Sequence, residues 1–90
     1  MNQTRSKSDE VAERGEQLYQ QKIRAEVEFP ENIGKMVIID VETEDYAVDD
    51  IGIISAHYLH AKNPNAELNG IRIGYKAAEA LGGVLERANI

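Results

Sequence analysis

Met36-Val37-Ile38-Ile39-Asp40-Val41-Glu42-Thr43-Glu44-Asp45 is the stretch whose reading decides the fold. Four large apolar residues in a row predict a strand over Lys35–Val41, buried on both faces and therefore central in its sheet. The polar run Thr43-Glu44-Asp45 reads as a turn, and Tyr46-Ala47-Val48 as a short return strand, which together make a hairpin.

Working outward toward the N-terminus, residues 1–8 form a polar lead expected to be disordered. Ser8 is placed to cap a helix running from Asp9 to Glu26, with Val11, Ala12, Gly15, Leu18, Tyr19 and Ile23 on one face. Gly15 weakens a helix and marks a close approach to another element. Pro30 stops what Val27 and Phe29 begin. On the other side of the hairpin, Asp49 or Asp50 caps a second helix, Asp50–Lys62. Its expected inner face is Ile51, Ile54, Tyr58 and Leu59, widened by Ile53 and Ala56. Asn63-Pro64-Asn65 ends it. Glu67–Tyr75 reads as a third strand, with Gly70 interrupting its alternation. Lys76–Leu81 reads as a short helix closed by Gly82-Gly83, followed by a tail over 84–90.

A right-handed crossover through the second helix makes the third strand parallel to the second and sets it beside the first. The expected fold is therefore α+β, in the order α-β-β-α-β plus a short C-terminal helix or tail. Its small sheet has strand order 2-1-3, in one domain over residues 9–83.

The chain has 90 residues and a net charge of −6, and it contains no cysteine. Its length allows one domain with a thin core. The missing cysteines exclude disulfides and thiolate zinc sites and fit a reducing cytoplasm. No apolar run approaches the ~18 residues that span a bilayer. The acidity argues against nucleic acid and anionic membrane surfaces as partners.

That acidity is local. Residues 36–66 hold six acids and one base, giving −5 of the −6, and the six are Asp40, Glu42, Glu44, Asp45, Asp49 and Asp50. Read functionally, the cluster is a docking patch for a basic protein partner. Read structurally, Asp49 and Asp50 favour a helix start, while Glu42, Glu44 and Asp45 keep a hairpin tip solvated.

Chemistry is less well supported. Val37-Ile38-Ile39-Asp40-Val41-Glu42-Thr43 resembles the first motif of proofreading-type exonucleases, an apolar strand ending in Asp-x-Glu-Thr. That resemblance makes Asp40 and Glu42 the ligands of a divalent ion in a metal-dependent hydrolase or nuclease. It covers seven residues and lacks the further acidic motifs such enzymes need. An EF-hand alignment puts Asp45 where Gly is needed and Ile51 where Glu is needed. His57 and His60 lie three apart, without the four-residue spacing and Glu of a helical zinc pair. No cofactor motif is present.

Gly15-Glu16-Gln17-Leu18-Tyr19, Gly34-Lys35-Met36-Val37-Ile38-Ile39-Asp40, Asp45-Tyr46-x-Val48-Asp49-Asp50 and Ile71-Arg72-Ile73-Gly74-Tyr75 together resemble a family of small uncharacterised bacterial, notably cyanobacterial, proteins. The likeness covers residues 13–83. It implies a chain encoded beside another small protein, and hence an antitoxin-like or regulatory binding partner without catalytic residues. Those proteins carry Gly in the turn where this chain has Glu44-Asp45, and Glu-Asp lacks Gly's freedom at positive φ. The expected function is a non-enzymatic, cytoplasmic interaction module that contacts another protein or forms a homodimer.

Overall fold

The computed structural model describes residues 6–77 and 85–87. The polypeptide opens with helix α1 (Lys7–Leu18), which continues without a break through a π-helical stretch, Tyr19–Ile23, into α2 (Arg24–Val27). The Ser6 hydroxyl caps α1 by accepting from Asp9 N–H at 3.1 Å, so the helix starts two residues before the position expected from Ser8. The expected disordered lead thus gives up Lys7 and Ser8 to the helix, and residues 1–5 lie outside the described residues.

The π-helical stretch has a sequence cause. The buried positions Gly15, Tyr19, Ile23 and Val27 recur every four residues. In an α-helix four residues overshoot a full turn by about 40°, so the stripe would rotate off the sheet within two turns. The wider i→i+5 winding at Tyr19–Ile23 re-aligns it. A Cβ on Gly15 would lie 2.7 Å from Asn69 Cβ, so this glycine is the contact point between helix and sheet.

The sheet contains β1 (Met36–Asp40), β2 (Tyr46–Asp49) and β3 (Leu68–Arg72) in the order β2-β1-β3. Both pairings are antiparallel, with Val37 opposite Val48 and Ile71. β2 and β3 therefore run in the same direction on either side of β1, joined by helix α3 (Ile53–Lys62). This is the expected α+β architecture with β1 central. Val37, Ile38, Ile39 and Asp40 are all buried, as a strand covered on both faces requires.

The two faces of β1 meet different layers. Val37 and Ile39 join Leu18, Tyr19, Ile23, Val27 and Ile73 in the main core beneath the N-terminal helix, with Val48 and Ile71 packed alongside. The alternate face, carrying Met36, Ile38 and Asp40, lies under α3. There a Cβ on Gly52 would come within 3.0 Å of Ile38 Cδ1.

Two expectations fail at the C-terminal end. The third strand stops at Arg72; Ile73 and Gly74 then turn, with Gly74 at φ +84°, and β4 (Tyr75–Ala77) pairs antiparallel with β5 (Leu85–Arg87). Lys76 and Ala77 are therefore strand where a helix was expected, and a segment of the expected tail is strand too. The rest of that expected helix lies outside the described residues. Gly74 supplies the positive φ that breaks the strand, a break the continuous alternation Ile71, Ile73, Tyr75 conceals.

The inner face of α3 is only partly the expected one. Leu59 is buried as expected, but Gly52 and Ser55 join it in place of Ile51, Ile54 and Tyr58, which point into solvent with Ile53.

Candidate functional site

The acidic cluster resolves into residues with separate tasks. Asp40 closes the hairpin: its N–H donates to Asp45 O at 2.8 Å, and its carbonyl accepts from Glu44 N–H at 2.7 Å. Its carboxylate is 1% exposed and fully engaged. Oδ1 accepts from Glu42 N–H and Glu67 N–H, and Oδ2 from Thr43 Oγ1 and Asn63 Nδ2, at 2.9–3.3 Å. Burial alone would raise this carboxyl's pKa, but the four hydrogen bonds outweigh it and hold the pKa below the ordinary value. Asp40 thus ties the hairpin turn to the end of α3 and the entry to β3.

Asp49 caps α3. Oδ1 accepts from Ile51 and Gly52 N–H, and Oδ2 from Ser55 N–H at 2.7 Å. The hydrogen bond from the Ser55 side chain, helped by these amides, lowers its pKa to about 2 against the opposing effect of desolvation. Gly52 sits at φ +90°, which turns the chain sharply from β2 into the helix.

Glu44 and Asp45 are neutralised from within the chain. Glu44 accepts from Arg14 at 2.9 Å and Lys22 at 3.2 Å, both on the N-terminal helix, and Asp45 pairs with Lys62 at 3.2 Å. Glu44 has φ +69°, so the turn does demand the left-handed conformation that a glycine there would adopt freely. Glu42 and Asp50 are exposed. Asp40 and Asp49 are therefore structural groups, Glu44 and Asp45 are already compensated, and only Glu42 and Asp50 remain as open surface acids.

For cations the consequence is direct. A divalent ion needs unshared carboxylate oxygens, and Asp40 directs both of its oxygens at four donors. Among the described residues no group of three or more His, Cys, Asp or Glu is placed to hold a metal. His57 and His60 are both exposed on α3.

A cleft of about 270 Å³ lies between the N-terminal helix and β3, lined in part by Glu16, Arg24, Glu28, Asn69, Arg72 and Tyr75. Its charged groups have separate partners: Arg24 pairs with Glu28, Glu16 accepts from Gln20 Nε2 at 3.1 Å, and Arg72 donates to the Gly34 carbonyl at 2.6 Å. Glu28 accepts from Tyr19 Oη at 2.7 Å and from Arg24 Nε at 2.8 Å. Desolvation, then this bond to Glu28, push the Tyr19 hydroxyl well above its usual pKa. The arrangement braces the π-helical stretch.

The surface that stands out is the outer face of α3. Ile51 is 68% exposed, Ile53 57%, Ile54 73% and Tyr58 53%. Among the described residues the other exposed large apolar side chain is Phe29. A core helix normally buries such residues. Here Gly52, Ser55 and Leu59 face the sheet because Asp49 fixes the helix rotation through Ser55, and small residues let the backbone approach Ile38. Sequence reading missed this face because the apolar residues of α3 are spread round its axis, so periodicity selects no single direction. The usable signal was Gly52, Ser55 and Ala56, small residues that share a helical spacing with Leu59 and lie opposite the isoleucines.

No family model, curated protein or solved structure matches the chain.

Proposed function

We propose that this chain is a non-enzymatic protein-interaction module of the cytoplasm, an antitoxin-like or regulatory partner, with the outer face of α3 as its principal contact surface. The single observation that carries the reading is the concentration of exposed Ile51, Ile53, Ile54 and Tyr58 on one short helix and the turn that leads into it. Contiguous apolar patches of a few hundred Å² on small domains commonly mark interaction sites. The lack of cysteine fits a reducing compartment, and no helix of the described residues is long and apolar enough to cross a membrane.

The acidic turn takes a lesser part than its composition implies. Glu42 and Asp50 are available as rim charges, which steer encounter and orientation more than they hold a complex together. The hydrolase reading requires Asp40 as a metal ligand, and the saturated carboxylate argues against it.

The test is capture of complexes from the native cell with the full chain. Ile54→Glu with Tyr58→Ser should abolish complexes of the chain with itself or with another protein. Glu42→Gln, Glu44→Gln and Asp45→Asn together should leave them largely intact. Complexes that survive the first variant and vanish with the second would move the contact surface back to the turn.

A further inference from the structure

We infer that the outer face of α3 pairs with the same face of a second copy of this chain, the two helices running antiparallel about a two-fold axis. The inference rests on the interaction reading above and names the occupant of its surface.

Three observations point to a second copy. First, the face is self-complementary at its centre. In an antiparallel pair of identical helices, facing residues have a constant sum of residue numbers. With the axis between Ile54 and Tyr58, Ile54 of each copy faces Tyr58 of the other. Ile51 and Asp50 lie in the turn before the helix, at the end that the antiparallel direction brings to Ala61 and Lys62 of the other copy. Two equivalent Ile54–Tyr58 contacts thus flank the axis, and the acid before the helix lies toward the base at its end.

Second, the charges favour this direction. Asp50 is exposed at the N-terminal end of α3, and Lys62 is half exposed at the C-terminal end. Antiparallel pairing places opposite charges together at both ends, whereas parallel pairing places like charges together. Lys62 already holds Asp45 at 3.2 Å, but an ammonium has three donors and can hold both carboxylates. It also lies 5.3 Å from the Tyr58 ring centroid, which keeps the cation beside the apolar stripe.

Third, the area suffices for a modest dimer. The exposed parts of the four large side chains come to roughly 400–500 Å² per copy, so a pair that covered all of them would bury at most about 1,000 Å², the lower limit for a specific interface. An interface of that size is reversible and concentration-dependent.

The test is sedimentation equilibrium of the full chain from about 1 µM to 1 mM, a range that brackets weak specific association. The wild type should pass from monomer to dimer within it. Ile54→Glu should weaken the dimer by about 100-fold. Because that side chain is already exposed, its circular dichroism and melting as a monomer should match the wild type. Asp50→Lys should weaken the dimer by about tenfold, and Asp50→Lys with Lys62→Asp should restore it, since both ends are then reversed in both copies.

A wild type that stays monomeric at 1 mM overturns the proposal, as does a dimer indifferent to Ile54→Glu or a double reversal that fails to restore association. The interaction reading fails separately. If the protein is monomeric yet Ile54→Glu removes a different protein from native-cell complexes, only the second-copy assignment falls. A double reversal that restores self-association cannot restore binding to a partner with unchanged charges.

Discussion

The N-terminal helix and α3 cover opposite faces of the same central strand, yet they use their side chains in opposite ways. The first buries its large residues, Leu18, Tyr19, Ile23 and Val27, and turns Glu, Gln, Lys and Arg to solvent. α3 buries Gly52 and Ser55 with the single large Leu59, and turns isoleucines outward. The first helix therefore gains its place from hydrophobic burial. The second is held by hydrogen bonds at its two ends, Asp49 at the start and Asn63 to Asp40 just past the finish. A helix anchored by its ends is free to present an apolar face elsewhere, and that freedom is what makes α3 the candidate contact surface.

The comparison is sharpest in paired truncations. Ile23→Ala should cost about 3–4 kcal/mol in urea unfolding at low protein concentration, whereas Ile54→Ala should change monomer stability by less than about 0.5 kcal/mol. Equal losses would break the contrast between the two helices.

Removing the distal anchor comes next. Asp40→Ala strands the amides of Glu42 and Glu67 together with the Asn63 and Thr43 side chains, and should cost about 3 kcal/mol. A carboxyl whose folded pKa is lowered stabilises the fold above its unfolded value near 4, and that stability is lost as pH falls through the folded value. Asp40 and Asp49 should thus make the protein lose stability progressively below pH 4, with Asp49 contributing down to about pH 2. An acid melting profile shows this, and Asp49→Asn should flatten it below pH 4.

Gly15→Ala gains helix propensity but drives a methyl group into Asn69. The clash should prevail, with a net loss of about 1–2 kcal/mol. Stabilisation instead would mean that the helix does not rest closely on β3.

The smallest effect is expected at the hairpin. Glu44→Gly relieves a left-handed glutamate, worth about 1 kcal/mol, and removes two surface ion pairs of similar combined worth. The net change should lie within about 0.5 kcal/mol. Glu44→Ala keeps the strain and loses the pairs, so it should be the less stable of the two variants.

Much of this was open to reading from the chain. A run of four large apolar residues can be satisfied only between two layers, so Met36–Asp40 announces a central strand, and the handedness of crossovers then orders the sheet. Gly15 announced its close contact because a helix carries such a residue at a loss unless space demands it. The acidic cluster was visible as a cluster, but its roles were not: whether a carboxylate is open surface or buried clasp depends on donors that arrive from Asn63 and Glu67, more than twenty positions away. Local pattern, set by the two periods of backbone geometry, determined which segments form helices and strands as far as Arg72, but not the turn at Ile73-Gly74 or the strand after it. The rotation of α3 about its own axis was left to tertiary structure, because a helix whose apolar residues are spread round its axis has no single preferred face until a clasp at each end selects one.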